Sequence, residues 1–133
     1  MPGNNDLVFL SASEQGRRIR SRKLSPVELV RACLERIERY DAVLRAYITV
    51  CGEQALAQAR QAEREIAAGN WRGPLHGIPF GVKDQICTRG IRTTLGSRIM
   101  ADYVPDADAT VIARLVGAGA ILIGKENLHE FGK

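Results

Sequence analysis

Long apolar runs are missing from this sequence. Stretches such as Ala120-Ile121-Leu122-Ile123 fall far short of the roughly 20 apolar residues that a membrane-spanning helix needs. The opening residues, Met1-Pro2-Gly3-Asn4-Asn5-Asp6, show no charged-then-apolar signal pattern. The expectation is a cytoplasmic protein with no membrane partner. Cysteine is scarce as well: Cys33, Cys51 and Cys87 are odd in number, widely spaced and without a C-x-x-C pair. Neither His76 nor His129 stands at metal-ligand spacing from them, so no disulfide framework and no zinc site is expected. There is no G-x-G-x-x-G, no internal repeat, no low-complexity tract and no interdomain linker. No cofactor or metal is expected, and any chemistry must come from ordinary side chains.

What is present is the composition of a folded domain: 133 residues, 45% of them hydrophobic and 26% charged. The net charge of +4 has a local source. Between Ser11 and Tyr40 stand eight basic residues (Arg17, Arg18, Arg20, Arg22, Lys23, Arg31, Arg36 and Arg39) against four acidic ones, which accounts for the whole excess. Such a patch can steer an acidic partner or RNA. No aromatic residues interleave the arginines to stack bases, so a solvated helix face is the plainer reading and no nucleic-acid partner is expected.

Up to about Gly69 the chain reads as helices. Ser11 followed by Glu14 predicts a capping box opening a short basic helix that ends near Ser21. Ser25 as N-cap, Pro26 at the first helical position and Glu28 three residues after the cap predict a second helix start. Leu29, Val30, Cys33, Leu34 and Ile37 then recur at three- and four-residue intervals, predicting an amphipathic helix of about four turns. A third helix is expected over Glu53 to Ala68, with a thin apolar face at Ala55, Leu56, Ala59, Ala62 and Ile66 and Gly69 to end it.

Beyond Gly69 the pattern changes to strand, loop, helix, strand. Alternation over Ile78-Pro79-Phe80-Gly81-Val82-Lys83 predicts a short strand with Ile78, Phe80 and Val82 on one face and Pro79, Gly81 and Lys83 on the other. Asp108 is expected to cap a helix from Ala109 to Val116 that buries Val111, Ile112 and Leu115. Ala120 to Ile123 reads as a strand buried on both faces. The expected class is α/β: a helical layer over 1–69, and a strand-loop-helix-strand segment over 70–133 that joins a mixed, largely parallel sheet. Two strands do not make a stable open sheet, and a doubly buried strand expects neighbours on both sides. The 133 residues therefore read as part of a single larger domain.

Gly119-Ala120-Ile121-Leu122-Ile123-Gly124-Lys125-Glu126 fits a phosphate loop up to its last position, where Ser or Thr belongs. Its four variable residues are the apolar strand itself, so the match is accidental and nucleotide binding is not expected. Lys83 is a stronger candidate. A lysine beside Phe80 and Val82, next to a glycine that lets other backbone approach, would be poorly solvated and available as a base. The alternative is a strand-end lysine that snorkels to solvent or pairs with Asp84. Residue type and spacing leave both open.

Gly73-Pro74-Leu75-His76-Gly77-Ile78-Pro79-Phe80-Gly81-Val82-Lys83-Asp84, Thr88-Arg89-Gly90-Ile91-Arg92-Thr93-Thr94, Gly96-Ser97, Tyr103-Val104-Pro105-Asp106, Asp108-Ala109-Thr110-Val111, Gly117-Ala118-Gly119-Ala120, Gly124-Lys125-Glu126-Asn127 and Glu130-Phe131 stand in a fixed order. Together they resemble the amidase-signature family, which includes the A subunit of the aminoacyl-tRNA amidotransferase. The helix opening at Ser25-Pro26-Val27-Glu28-Leu29 is similar to that family's N-terminal helix. The resemblance implies an enzyme that hydrolyses linear carboxamide C–N bonds through a Ser, cis-Ser, Lys triad, with Lys83 as the catalytic lysine and a small-molecule amide as substrate. It implies for Asp84 a supporting role, holding the local hydrogen-bond network.

The family also uses a Gly-Ser-Ser-Gly-Gly-Ser-like segment for the bridging serine and the oxyanion hole, and none occurs in these 133 residues. Ser11, Ser13, Ser21, Ser25 and Ser97 all lie outside such a context, Ser97 reading as a turn-forming residue. Gly132-Lys133 departs from the small residue that usually follows Glu-Phe in the family. The expectation is an incomplete amidase-signature fold, truncated before the serine segment and inactive alone. Two other readings stand beside it: a non-catalytic remnant that binds a partner or forms a homodimer, and the A subunit of a tRNA-dependent amidotransferase complex. His76, in a proline-glycine turn, and His129, near the last residue, read as structural or exposed.

Overall fold

The computed structural model describes residues 4–133; Met1-Pro2-Gly3 of the opening stretch lies outside the described residues. A short helix α1 (Asn4–Leu7) precedes α2 (Ala12–Arg20), where Ser11 Oγ accepts from the Glu14 amide at 3.2 Å. Glu14 turns its carboxylate to Arg17 and Arg18, the charge partners one turn on, and this neutralises part of the basic patch. Helix α3 (Pro26–Leu44) starts as the sequence predicts, with Ser25 Oγ accepting from the amides of Val27 and Glu28. At 19 residues it is longer than the expected four turns, spanning about 28 Å. It stops where Arg45 adopts a left-handed conformation (φ 49°). Asp41 then accepts from the amides of Ala46 (2.7 Å) and Tyr47 (3.2 Å), which turns the chain into β1 (Tyr47–Val50).

Helix α4 (Gly52–Ala67) buries Ala55, Ala59 and Ala62, one stripe of small side chains. Small residues let it settle closely on α3 and the sheet, with Val30, Ile121 and Ile123 completing that core. Gly69 (φ 85°) ends the helical segment, its amide donating to Ile66 O. The sheet has three strands in the order β1-β3-β2, with β2 at Pro79–Lys83 and β3 at Ile121–Glu126. β3 is central, parallel to β2 and antiparallel to β1. Between β2 and β3 in the chain lies α5 (Thr110–Gly117).

The architecture is thus mixed α/β, with helices against a mixed sheet. Four details depart from expectation. β1 is an additional strand, and it supplies one neighbour that the doubly buried β3 requires. β3 runs on past Ile123 through Gly124, Lys125 and Glu126. Ile78 does not share a core with Phe80 and Val82; it precedes β2 and joins Leu7, Ile19, Leu24 and Leu29, whereas Val82 packs with Ile112 and Leu122. The Asp108 carboxylate does not cap α5, whose N-cap is Ala109, because it accepts instead from the Arg89 amide at 2.6 Å. Consistent with that one-residue offset, Ile112 is buried while Val111 is 48% exposed.

Candidate functional site

Because β2 and β3 run parallel, their C-terminal ends emerge side by side, the edge at which sites in parallel sheets collect. Val82 stands opposite Lys125, and Lys83 opposite Glu126. Side chains alternate across a strand, so Lys83 and Lys125 project to opposite faces. Asp84 carries the ladder one residue further, its amide donating to Glu126 O at 2.9 Å.

The two lysines have different surroundings. Lys125 is completely buried, and its ammonium donates to Thr93 Oγ1 (2.6 Å) and Ile86 O (3.0 Å). Its ion-pair partner is Asp84, with Oδ1 3.2 Å away and the carboxylate equally buried. Two hydrogen bonds and one ion pair hold the buried ammonium, and Asp84 Oδ1 faces it as a charge without accepting a hydrogen bond. Asp84 Oδ2 accepts from both the amide (2.8 Å) and the hydroxyl (2.6 Å) of Thr94, and Asp84 O accepts from the Leu95 amide. Lys83 is half-buried, and among the described residues no carboxylate lies within ion-pair distance of its ammonium. The pairing of Lys83 with Asp84 left open by the sequence is therefore not what forms: Asp84 is committed to Lys125 and Thr94.

On the Lys83 face, Gly81 leaves room for the Glu126 carboxylate, which lies against its α-carbon where any side chain would collide with it. The loop after Asp84 is clamped from its far side. Ser97 is buried, donating from Oγ to Glu130 Oε1 at 2.7 Å, and the Phe131 amide donates to Leu95 O at 2.7 Å. Ser97 is thus a turn residue that ties the last residues of the chain to the loop.

His76 is buried too, accepting at Nδ1 from the Arg72 amide (3.2 Å) with Nε2 3.1 Å from Glu65 Oε2. Burial pushes its pKa down against the pull of Glu65. Glu65 itself is held below the usual carboxylate range by hydrogen bonds from Gln61 and Arg72. His129 is exposed. Cys33 and Cys51 are half-buried free thiols whose pKa burial raises. Among the described residues no group of His, Cys, Asp or Glu has metal-site geometry, and no helix is long and apolar enough to cross a membrane.

Sequence reasoning singled out Lys83 and Asp84 but missed Lys125 and Thr94, the partners of Asp84, and Thr93, the partner of Lys125. The available signal was a lysine directly continuing an apolar strand, where burial without a carboxylate partner is prohibitive.

Comparison with known proteins bears on the family. The amidase family profile matches residues 28–133. The chain is 46% identical over 126 residues to the A subunit of a glutamyl-tRNA(Gln) amidotransferase from Dehalococcoides mccartyi, covering 95% of this chain and 26% of the relative. A Geobacter homologue of the same description is 48% identical over 126 residues, with the same coverage. Among solved structures, the native peptide amidase from Stenotrophomonas maltophilia superposes with a TM-score of 0.87 at 36% identity, covering 92% of this chain and 26% of that one. The chain spans about a quarter of the length of these relatives. With its family profile matched over most of its length, the chain belongs to the amidase family.

Proposed function

We propose that these residues form the N-terminal portion of a single amidase-signature domain and supply the lysine of a Ser, cis-Ser, Lys triad that hydrolyses carboxamide C–N bonds. The observation that carries this reading is the commitment of Asp84 to Lys125 and Thr94, which leaves Lys83 at the strand end with no carboxylate in ion-pair distance among the described residues. A neutral Lys83 amine accepts a proton from a bridging serine, which in turn takes one from the nucleophilic serine as it attacks the amide carbon. The proton then returns to the departing amine, and water releases the acyl group. Both serines come from sequence outside these 133 residues, and the substrate is a small-molecule amide. By itself the 133-residue chain releases no ammonia from amides.

The test is a graft. This chain replaces the corresponding quarter of the Stenotrophomonas maltophilia peptide amidase, and ammonia release from simple amides is measured with and without Lys83→Ala. Activity that requires Lys83 is the expected result. A folded graft that is equally active with alanine at position 83 would overturn the reading.

The 46% identity to an amidotransferase component supports a second reading with the same chemistry but different partners, in which the chain works within a tRNA-dependent amidotransferase complex. Activity of the complete protein that appears only with such partner subunits would favour it.

A further inference from the structure

Two lysines on neighbouring strands, with one aspartate near both, raise a question of charge. Asp84 directly follows Lys83 and carries a fully buried carboxylate, so the nearest cation would capture it. In this fold that cation is Lys125, which reaches Asp84 Oδ1 at 3.2 Å from the neighbouring strand. Thr94 holds Oδ2 through two hydrogen bonds, so the carboxylate is fixed from two sides and turned off the Lys83 face.

We infer that Lys125 is a positioning residue for Lys83: by taking Asp84 as its own counter-ion, it keeps that carboxylate from pairing with Lys83. This rests on the reading of Lys83 as a base. An amine that must give up its proton works poorly beside a carboxylate, because the opposite charge stabilises the ammonium form. Lys125 is held by hydrogen bonds to Ile86 O and Thr93 and by its ion pair with Asp84. The other ionisable groups on the Lys83 side are Glu126, its register partner on β3, and Tyr47, the register partner of Glu126 on β1. Neither is itself substituted in Lys125→Met or Lys125→Arg, so the comparison of variants isolates the charge at position 125.

The experiment is done on the 133-residue chain, with Lys83 followed by NMR after labelling of its side-chain carbons. In Lys125→Met the Asp84 carboxylate, still held at Oδ2 by Thr94, loses its counter-ion, and the Lys83 ammonium, next in the chain, becomes the cation available to it. The Lys83 titration midpoint then rises by about one pH unit or more, which slows its modification by an amine reagent at fixed pH about tenfold. Lys125→Arg, which keeps the charge, leaves the midpoint near that of the unsubstituted chain. A folded Lys125→Met variant in which Asp84 simply becomes protonated and Lys83 titrates as before overturns the proposal.

If Lys125→Met does not fold, the unsubstituted chain decides. Protonating Asp84 at low pH must move the Lys125 side-chain signals and leave those of Lys83 in place; the reverse pattern overturns the proposal. These readouts involve no catalysis, so they can fail while the grafted enzyme still depends on Lys83, and the graft can fail while they hold.

Discussion

Asp84 Oδ1 and Lys125 Nζ lie 3.2 Å apart, and both side chains are completely shielded from water. The pair joins the ends of two parallel strands and anchors the Thr93–Thr94 segment of the following loop. Removing one partner leaves an uncompensated buried charge. Asp84→Ala is therefore expected to cost about 3–5 kcal/mol, read from urea unfolding. Adding Lys125→Met to Asp84→Ala should recover part of that loss. If the double variant is less stable than Asp84→Ala by the full cost of a second lesion, the two residues act independently and the coupling is absent.

Glycines in this fold differ sharply in what surrounds them. At Gly124, in the central strand, an added methyl would meet Thr49 O at 2.6 Å and the Tyr47 ring at 2.7 Å, both on β1. Gly124→Ala must push β1 away and is expected to lose about 1–3 kcal/mol. At Gly117, the last residue of α5, an added methyl meets nothing within 4 Å. Gly117→Ala should stabilise by up to about 1 kcal/mol through the unfolded chain. Thermal melts of both variants check the pair of signs.

Ser25 serves the start of the longest helix, accepting from Val27 N at 3.0 Å and Glu28 N at 3.4 Å while donating to Glu63 of α4. Its replacement by alanine is expected to cost about 1 kcal/mol. Substitution by aspartate should recover most of the capping contribution but not the contact with Glu63, where two carboxylates would meet. A Ser25→Ala melting temperature equal to that of the unsubstituted chain would show that the cap carries no weight.

The pH dependence of stability should carry the mark of His76. Its folded pKa lies below the unfolded value of about 6.5, because burial disfavours the imidazolium. A group depressed in this way contributes stability that is complete above the unfolded pKa and is lost as pH falls through the folded one. Glu65, also depressed, has the same sign over a more acidic range. Stability is thus expected to fall on acidification as the pH drops below the unfolded histidine value of about 6.5. In His76→Gln the slope below that value should flatten, measured as urea midpoints at a series of pH values.

Much of the helical layer was legible in the sequence because its signals are local. Ser25-Pro26 and the three- and four-residue spacing of Leu29, Val30, Cys33 and Leu34 locate α3 without reference to anything distant. The alanine stripe does the same for α4. The parallel pairing of β2 with β3 was also legible, from two short apolar runs separated by a helix. Where the local signal was weak, the reading failed. Tyr47–Val50 carries strand-favouring residues, Tyr-Ile-Thr-Val, but the run is only four residues long and its partner strand lies more than 70 residues away, so it went unread. Asp108 looked like a helix cap until a backbone amide 19 residues earlier claimed its carboxylate.

The candidate site divides in the same way. The order of residues from Gly73 to Phe131 determined the family and singled out Lys83, because a long ordered motif is a property of the chain itself. Residue type and spacing alone leave open whether Lys83 is desolvated or reaches solvent, and say nothing of what surrounds Lys125. Only the tertiary structure separates them. Strand pairing sets the two side chains on opposite faces, and the Thr93–Thr94 loop folds back to complete one coordination shell and not the other. A buried charge is tolerated only where partners distant in sequence converge on it, and that convergence is a property of the fold.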